Sequence, residues 1–462
     1  MSAPGILLLM NGAACIPSLL LRDRRVLQSV LSIIAGMVIA WIAFSLPLDQ
    51  PQSILGMDFK FSSRWMILGR SLILTEEARA AVGMLYASVA LVFLGALAVH
   101  ATAAFYFLGY LMAGAVAAAL MIEPIVFAAL LFEIAAIFAL LLLSGERGRK
   151  PRGGFRLLSL FTLGMIAILL TGWMLEDLGG IGSVPQDRRL LLLLGLGFTV
   201  LMAVPPFHSW LPIVAEDSQP IAIGLVIVVL QGGGFFFMLH LLGGYEFLGD
   251  QVHIAGLIRM TGAVTAVVAG LWSLAQSSSR KAFCYALIAH TGISMICMGL
   301  GDAQGFQLAA TTTALRTLHI LGWALGEPAK PRGASLFANK TGEPVARTTN
   351  IMRVASVIGF LGLAGFPLTP GYASRWTLLM KLSAQHPFTL GASSLAMLGI
   401  VVSAMRAILN QGAQTAVGTH TWSRWNTVLL FTYTACMMLL SFFPQFLAPW
   451  TEAIVSNVIH IP

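Results

Sequence analysis

The sequence predicts an all-α polytopic membrane protein of about 14 transmembrane helices, with two inverted five-helix repeats and breaks in helices 7 and 12. Three observations lead there. Only 10% of the 462 residues are charged and 58% are hydrophobic, where a soluble chain carries about 25% charge. Long apolar runs recur along nearly the whole length. Two of them are interrupted by prolines at matching places in the two halves: Met202–Pro212, around Pro205 and Pro206, and Leu363–Trp376, around Pro367 and Pro370. A proline removes a backbone donor and clashes with the preceding turn. Freed backbone groups at membrane depth must be satisfied by protein or water. A matched pair of such breaks marks the pathway of a transporter built from two repeats.

A span needs about 20 apolar residues, and the runs fall at 5–21, 26–47, 80–99, 101–120, 123–144, 155–175, 188–206, 220–243, 253–275, 281–300, 305–326, 351–380, 389–410 and 427–446. Residues 1–100 hold the first three. Residues 101–243 and 253–411 each hold five, with the broken segment fourth in each, and 427–462 hold the last. An odd number of spans per unit inverts one unit against the other. Pro51–Leu74 is too polar for a span and partly alternating, which predicts a β-hairpin on the outer surface. The long basic stretch Glu327–Arg353, rich in Gly, Pro and Thr, reads as a flexible connection.

Lys and Arg concentrate in one set of loops, at Arg22, Arg24, Arg25, Arg147, Arg149, Lys150, Arg152, Arg156, Arg280, Lys281, Lys330, Arg332, Lys340, Arg347, Arg353, Arg406 and Arg424. The opposite set holds fewer. The positive-inside rule makes the first set cytoplasmic and puts both termini on the outer, periplasmic side of a cell membrane. The net charge of +8 therefore reflects topology, and no nucleic-acid partner is expected. The apolar N-terminal run precedes Arg22, Arg24 and Arg25, the reverse of the charge order of a cleavable signal peptide. Arg259 and Lys381 fall where they can snorkel from helix ends, whereas Arg316 and Arg375 fall deeper.

Polar residues inside spans are the candidates for chemistry, because intramembrane ionisable groups are costly and usually functional. Glu133 stands in an otherwise apolar run and is a candidate proton carrier. His290 is mid-span, His208 is at the first break, and His319 lies near Arg316; imidazole titrates near neutrality and can relay protons. His240 falls nearer a membrane face. Gln231 precedes three glycines that allow close packing. Arg375, five residues past Pro370, keeps its charge and can tune a carboxylate or hold an exit. A structural role competes for each: a buried neutral histidine, a satisfied carboxyl, a packing amide. Cys15, Cys284, Cys297 and Cys436 lack metal-ligand spacing, and phosphate-binding glycine loops and nucleophile elbows are absent.

Three segments carry a family resemblance. Pro206-Phe207-His208-Ser209-Trp210-Leu211-Pro212, Arg280–Gly292 and Ala364–Trp376 resemble, in order, signature segments of the antiporter-like membrane subunits of respiratory complex I (NADH-quinone oxidoreductase), membrane-bound hydrogenases and Mrp antiporters. The resemblance covers nearly the whole chain. It implies a proton- or ion-translocating subunit that holds no redox cofactor of its own, sits among other membrane subunits in the bilayer, and is driven by peripheral electron transfer. It also implies a lysine at the positions of Leu201, Gln231 and Thr317, and a lysine or glutamate at Arg375. Ile213 and Ala215 replace family polar residues, while Glu133 and His290 match the pattern. The chain ends soon after the last run, without the long C-terminal arm of the most distal complex I subunit, which favours the shorter subunits. With Leu201 in place, Glu133 lacks the cation that the family pairs with it. Three readings follow: a conducting subunit of a redox-driven complex; a non-conducting scaffold in such a complex; and a subunit of a cation/proton antiporter or a proton-coupled bicarbonate transporter.

Overall fold

A computed structural model describes residues 2–21, 23–54, 57–67, 69–99, 101–144, 152–177, 188–244, 252–327, 350–412 and 424–456. Residues 328–349 of the connection expected at Glu327–Arg353 lie outside these residues, as do Arg22, Glu146, Arg147, Arg149, Lys150, Lys330, Arg332, Lys340 and Arg347, while its last part, from Asn350, is the start of a helix.

A helix stands at every predicted span. They are α1 (Ala3–Leu20), α2 (Arg25–Ser45), α3 (Glu76–Ala98), α4 (Ala103–Ala119), α5 (Val126–Leu143), α6 (Arg152–Asp177) and α7 (Arg188–Leu201). Then follow α8 (Trp210–Asp217), α9 (Pro220–Val226), a π-turn (Ile227–Gly232), α10 (Gly233–Gly244), α11 (Val252–Ala275), α12 (Ser279–Met298) and α13 (Ala303–Gly326). The chain continues through α14 (Asn350–Leu363), α15 (Tyr372–Gln385), α16 (Pro387–Gly412), α17 (Arg424–Phe442) and α18 (Ala448–Val455). Among the described residues, nine helices are long and apolar enough to cross a bilayer singly, and a tenth if α17 and the bent segment after it count together. The others are shorter or interrupted, because the breaks divide two of the apolar runs.

The predicted hairpin is two hairpins. β1 (Pro51–Ile54) pairs with β2 (Met57–Lys60), and β3 (Arg64–Ile67) pairs with β4 (Arg70–Ile73), which also pairs with β5 (Ile122–Glu123). The Ala3 amide donates to the Ser62 carbonyl (2.8 Å). At the other terminus, the Ser456 hydroxyl donates to Glu77 Oε1 (3.2 Å), at the start of α3. The hairpins and both ends of the described chain thus share one face.

The opposite face is held by ion pairs. Arg280 meets Glu327 (3.4 Å), Lys281 meets Glu216 (2.9 Å), and Arg280 also donates to the Ser218 carbonyl (3.3 Å). These contacts join the end of α8 to α12 and α13. Arg259 and Lys381 behave as helix-end groups: Arg259 donates to the Gly299 carbonyl (2.9 Å), and Lys381 pairs with Asp302 (2.5 Å), the N-cap of α13. α3, the α9–α10 rod, α12 and α13 form the buried centre, while α1, α2, α5, α6, α11 and α16 expose Leu9, Trp41, Ile137, Trp173, Leu257 and Leu409 outward. Outward apolar side chains are what a helix bundle presents to lipid.

Candidate functional site

The two breaks end their helices in the same way and then diverge one residue past the proline, where the Pro205–Pro206 bond is cis and Leu368 is left-handed (φ 70°). α7 stops with Ala203 in the left-handed region (φ 54°), and α14 stops with Gly365 there (φ 71°). The next amide reaches back five residues: Val204 to the Thr199 carbonyl (2.9 Å), Phe366 to the Leu361 carbonyl (3.2 Å). The left-handed residue itself reaches back three: Ala203 to Val200 (3.1 Å), Gly365 to Gly362 (3.0 Å). This is the Schellman helix end, and a proline then prevents continuation; here that residue is Pro205 or Pro367. One more turn matches, with Phe207 donating to Val204 (2.8 Å) and Thr369 to Phe366 (3.0 Å). Pro206 thus corresponds to Leu368, and His208 to Pro370. The carbonyls freed at each helix end are therefore largely recaptured locally, as membrane depth requires.

At the second break, several fully buried polar side chains meet. His319 of α13 lies against it: a Cβ on Gly362 would stand 2.2 Å from His319 Nδ1, and one on Gly359 2.4 Å from the His319 carbonyl oxygen. Glycine at both positions lets α14 approach. Neither ring nitrogen of His319 has a partner, although the residue is fully buried. Arg375, three residues into α15, donates to the Leu363 carbonyl (3.4 Å) at the end of α14, and its Nε and Nη1 are unpartnered. Arg316 donates to Thr291 Oγ1 (3.0 Å) on α12. One turn on, Ser294 and Thr312 share a hydroxyl hydrogen bond (3.1 Å). His290 lies within electrostatic reach of Arg375, Arg316 and His319. The structure thus gathers His290, Arg316, His319 and Arg375 from α12, α13 and α15 into one buried cluster. Thr317 is buried beside them.

The first half is filled differently. Leu201 is fully buried and packs against Gly234, where a Cβ would meet its Cδ2 at 3.1 Å. The rings of Phe132, Phe198 (one turn before Leu201 on α7) and Phe237 (one turn after Gly234) pack together, with Phe237 centred 5.3 Å from Phe132 and 6.0 Å from Phe198. Glu133, the next residue on α5, is half-buried and turned to α6, accepting from the Thr162 hydroxyl (2.6 Å) through Oε1; Oε2 is buried without a partner. It has no cationic partner among the described residues. Thr162 is exposed, so this carboxyl stands at the rim of the bundle and not on its axis.

His208 lies on a short 3-10 turn (Phe207–Ser209), with its ring centred 5.7 Å from Tyr285 and an unpartnered buried Nδ1. It is within reach of Arg156, toward the basic face. Gln231 sits in the π-turn, 1% exposed, with both amide atoms unpartnered. Nine residues further along the same rod, His240 borders a cavity of about 590 Å³ that opens beside the hairpins and is also lined by Arg64, Ser71, Thr75, Glu123 and Glu176.

The site residues therefore divide in three: His290, His319 and Arg375 come together, Glu133 stands apart at the rim, and His208 and Gln231 occupy separate positions in the first half. Sequence reading missed Thr162, the hydroxyls of Thr291, Ser294 and Thr312, and the glycines Gly359 and Gly362. Their one signal was a hydroxyl or a glycine recurring in runs otherwise made of large apolar residues.

The family model described as NADH:quinone oxidoreductase/Mrp antiporter, TM matches residues 138–403. The NADH-quinone oxidoreductase subunit N 1 of Herpetosiphon aurantiacus is 26% identical over 242 residues, covering 51% of this chain and 46% of that one. Among solved structures, the Mrp complex from Dietzia sp. DQ12-45-1b contains a chain that superposes with a TM-score of 0.78 at 16% identity, over 99% of this chain and 52% of that one. Respiratory complex I from Thermus thermophilus with bound NADH contains another, with a TM-score of 0.72 at 18% identity, over 98% and 99%. The chain spans about half the length of the curated relatives it matches. With the family model matched over more than half its length, the chain belongs to the NADH:quinone oxidoreductase/Mrp antiporter transmembrane family.

Proposed function

We propose that this chain is an antiporter-like membrane subunit of a multisubunit complex of complex I or hydrogenase type, and that it moves protons through its second half. The observation that carries the reading is the cluster of His290, His319 and Arg375 at the second break. Three helices converge there on side chains that are buried, polar and largely without partners. Imidazoles in such a place can exchange protons, and a broken helix is where a two-repeat transporter rearranges. Glu133 exchanges protons at the lateral rim. His208 and Gln231 stand beside the first break and the π-turn as further relay points. The repeats are 101–243 and 253–411, with 1–100 and 427–462 flanking them, and the equivalent hydrogen bonding of the two breaks supports that division. The chain holds no redox cofactor; electron transfer belongs to co-subunits. The membrane is the cell membrane, with both termini outside, as the basic loops indicate.

The test is acidification of inverted vesicles carrying the native assembly, energised through its own co-subunits. His319→Gln is expected to lower proton translocation while leaving assembly intact, and Glu133→Gln tests separately whether the rim carboxyl feeds that path. Unchanged translocation in the second variant removes Glu133 from the path.

A non-conducting scaffold is the second reading, and the packing of Phe132, Phe198, Leu201 and Phe237 favours it. It predicts normal translocation when Glu133→Gln and His319→Gln are combined.

A further inference from the structure

We propose that the buried cluster at the second break binds a small monovalent inorganic anion. Arg316 is 4% exposed and Arg375 2%, and a guanidinium keeps its charge in any protein environment. No carboxylate among the described residues pairs with or acts electrostatically on either one. Cys297 is within electrostatic reach of Arg375, but a thiol is ordinarily neutral at pH 7. His290 and His319 add no negative charge. The cluster is thus a concentration of positive charge in an apolar interior, the arrangement that burial penalises most.

Hydrogen-bond capacity points the same way. Nε and Nη1 of Arg375, Nδ1 of His290 and both ring nitrogens of His319 are buried without partners. A neutral imidazole carries one N–H per ring, so the donors here are those of Arg375 and at most one on each histidine; water can satisfy them but leaves the arginine charge uncompensated. An anion does both. The glycines around the break narrow the space, since a Cβ on Gly365 would stand 2.2 Å from Arg375 Cγ and one on Gly371 3.6 Å from His319 Nε2. So close an approach disfavours a bulky organic anion, which makes bromide and nitrate the probes. The anion stabilises the packing of α12, α13 and α15 whether or not protons cross here, so the inference stands apart from the conduction reading.

The experiment uses the native assembly and exchanges gluconate for bromide, or for nitrate, at constant ionic strength. Thermal unfolding of this chain is expected to shift upward by several degrees in bromide and nitrate. The shift is expected to vanish in Arg316→Gln/Arg375→Gln. Should that variant fail to fold, anomalous scattering from bromide in the wild-type assembly decides: density in contact with Arg375 beside His319 supports the site. An unfolding temperature indifferent to the anion together with no bromide density overturns it. So does a carboxylate of a neighbouring subunit lodged between the two arginines.

Discussion

Gly365 and Arg375 pack so closely that a methyl group on the glycine would stand 2.2 Å from Arg375 Cγ. Gly365 also holds φ 71°, a conformation that ends α14 and lets Phe366 recapture the Leu361 carbonyl. One glycine therefore shapes the break and makes room for the buried arginine. Gly365→Ala is expected to destabilise by about 1–3 kcal/mol, the cost of a residue held in a disfavoured backbone region. Gly391 is the control: a Cβ there meets nothing within 4 Å, and Ala in a helix gains about 0.5–1 kcal/mol over Gly. Thermal unfolding of both variants in one detergent checks the contrast.

Leu201 occupies a position where the family pattern has lysine, and its surroundings are apolar. Leu201→Lys is expected to cost about 2.5–3.5 kcal/mol, the insertion penalty of a charge near the bilayer centre. Leu201→Met, a volume-conserving change, is expected to cost less than about 1.5 kcal/mol. If Leu201→Lys unfolds at the wild-type temperature, water already reaches this point and the packed rings do not close the first half.

Glu133 and Thr162 form a rim pair at 2.6 Å. Thr162→Val leaves the half-buried carboxyl without this donor, which is expected to cost about 0.5–1.5 kcal/mol. Infrared difference spectra of the native assembly would report the change as a shift of the carboxyl band that Glu133→Gln abolishes. An unmoved band would mean that Glu133 has another partner in the assembly.

Arg280 and Glu327 are both buried on the basic face and tie α12 to the end of α13, while Arg280 also holds the Ser218 carbonyl. Removing one partner of a buried pair typically costs about 3–5 kcal/mol, whereas replacing both by apolar residues of similar volume is often neutral. Arg280→Met alone is therefore expected to lower the unfolding temperature strongly, and Arg280→Met/Glu327→Leu to recover much of the loss.

The architecture was legible because its cause is local. Apolar length sets a span, and Pro205, Pro206, Pro367 and Pro370 set the breaks wherever the rest of the chain lies. The burial of Arg316 and Arg375, against the helix-end roles of Arg259 and Lys381, also followed from position within a run. What was not legible depends on rotation about helix axes and on distant neighbours. Glu133 and Phe132 are adjacent in sequence, yet one meets Thr162 at the rim and the other a ring packed near Leu201. The meeting of His319 with Gly362 depends on two helices separated by a long connection. The same separation hid the Thr291 hydroxyl that receives Arg316.

The central claim is that protons cross through the second half, at the cluster around His319. Its most direct test is proton translocation by the native assembly carrying His319→Gln, measured by acidification of inverted vesicles with Leu201→Met as the first-half control. The account predicts at least about a tenfold lower rate in His319→Gln, equivalent to about 1.4 kcal/mol on the barrier, and a wild-type rate in Leu201→Met. An assembled His319→Gln complex that translocates at the wild-type rate would contradict it.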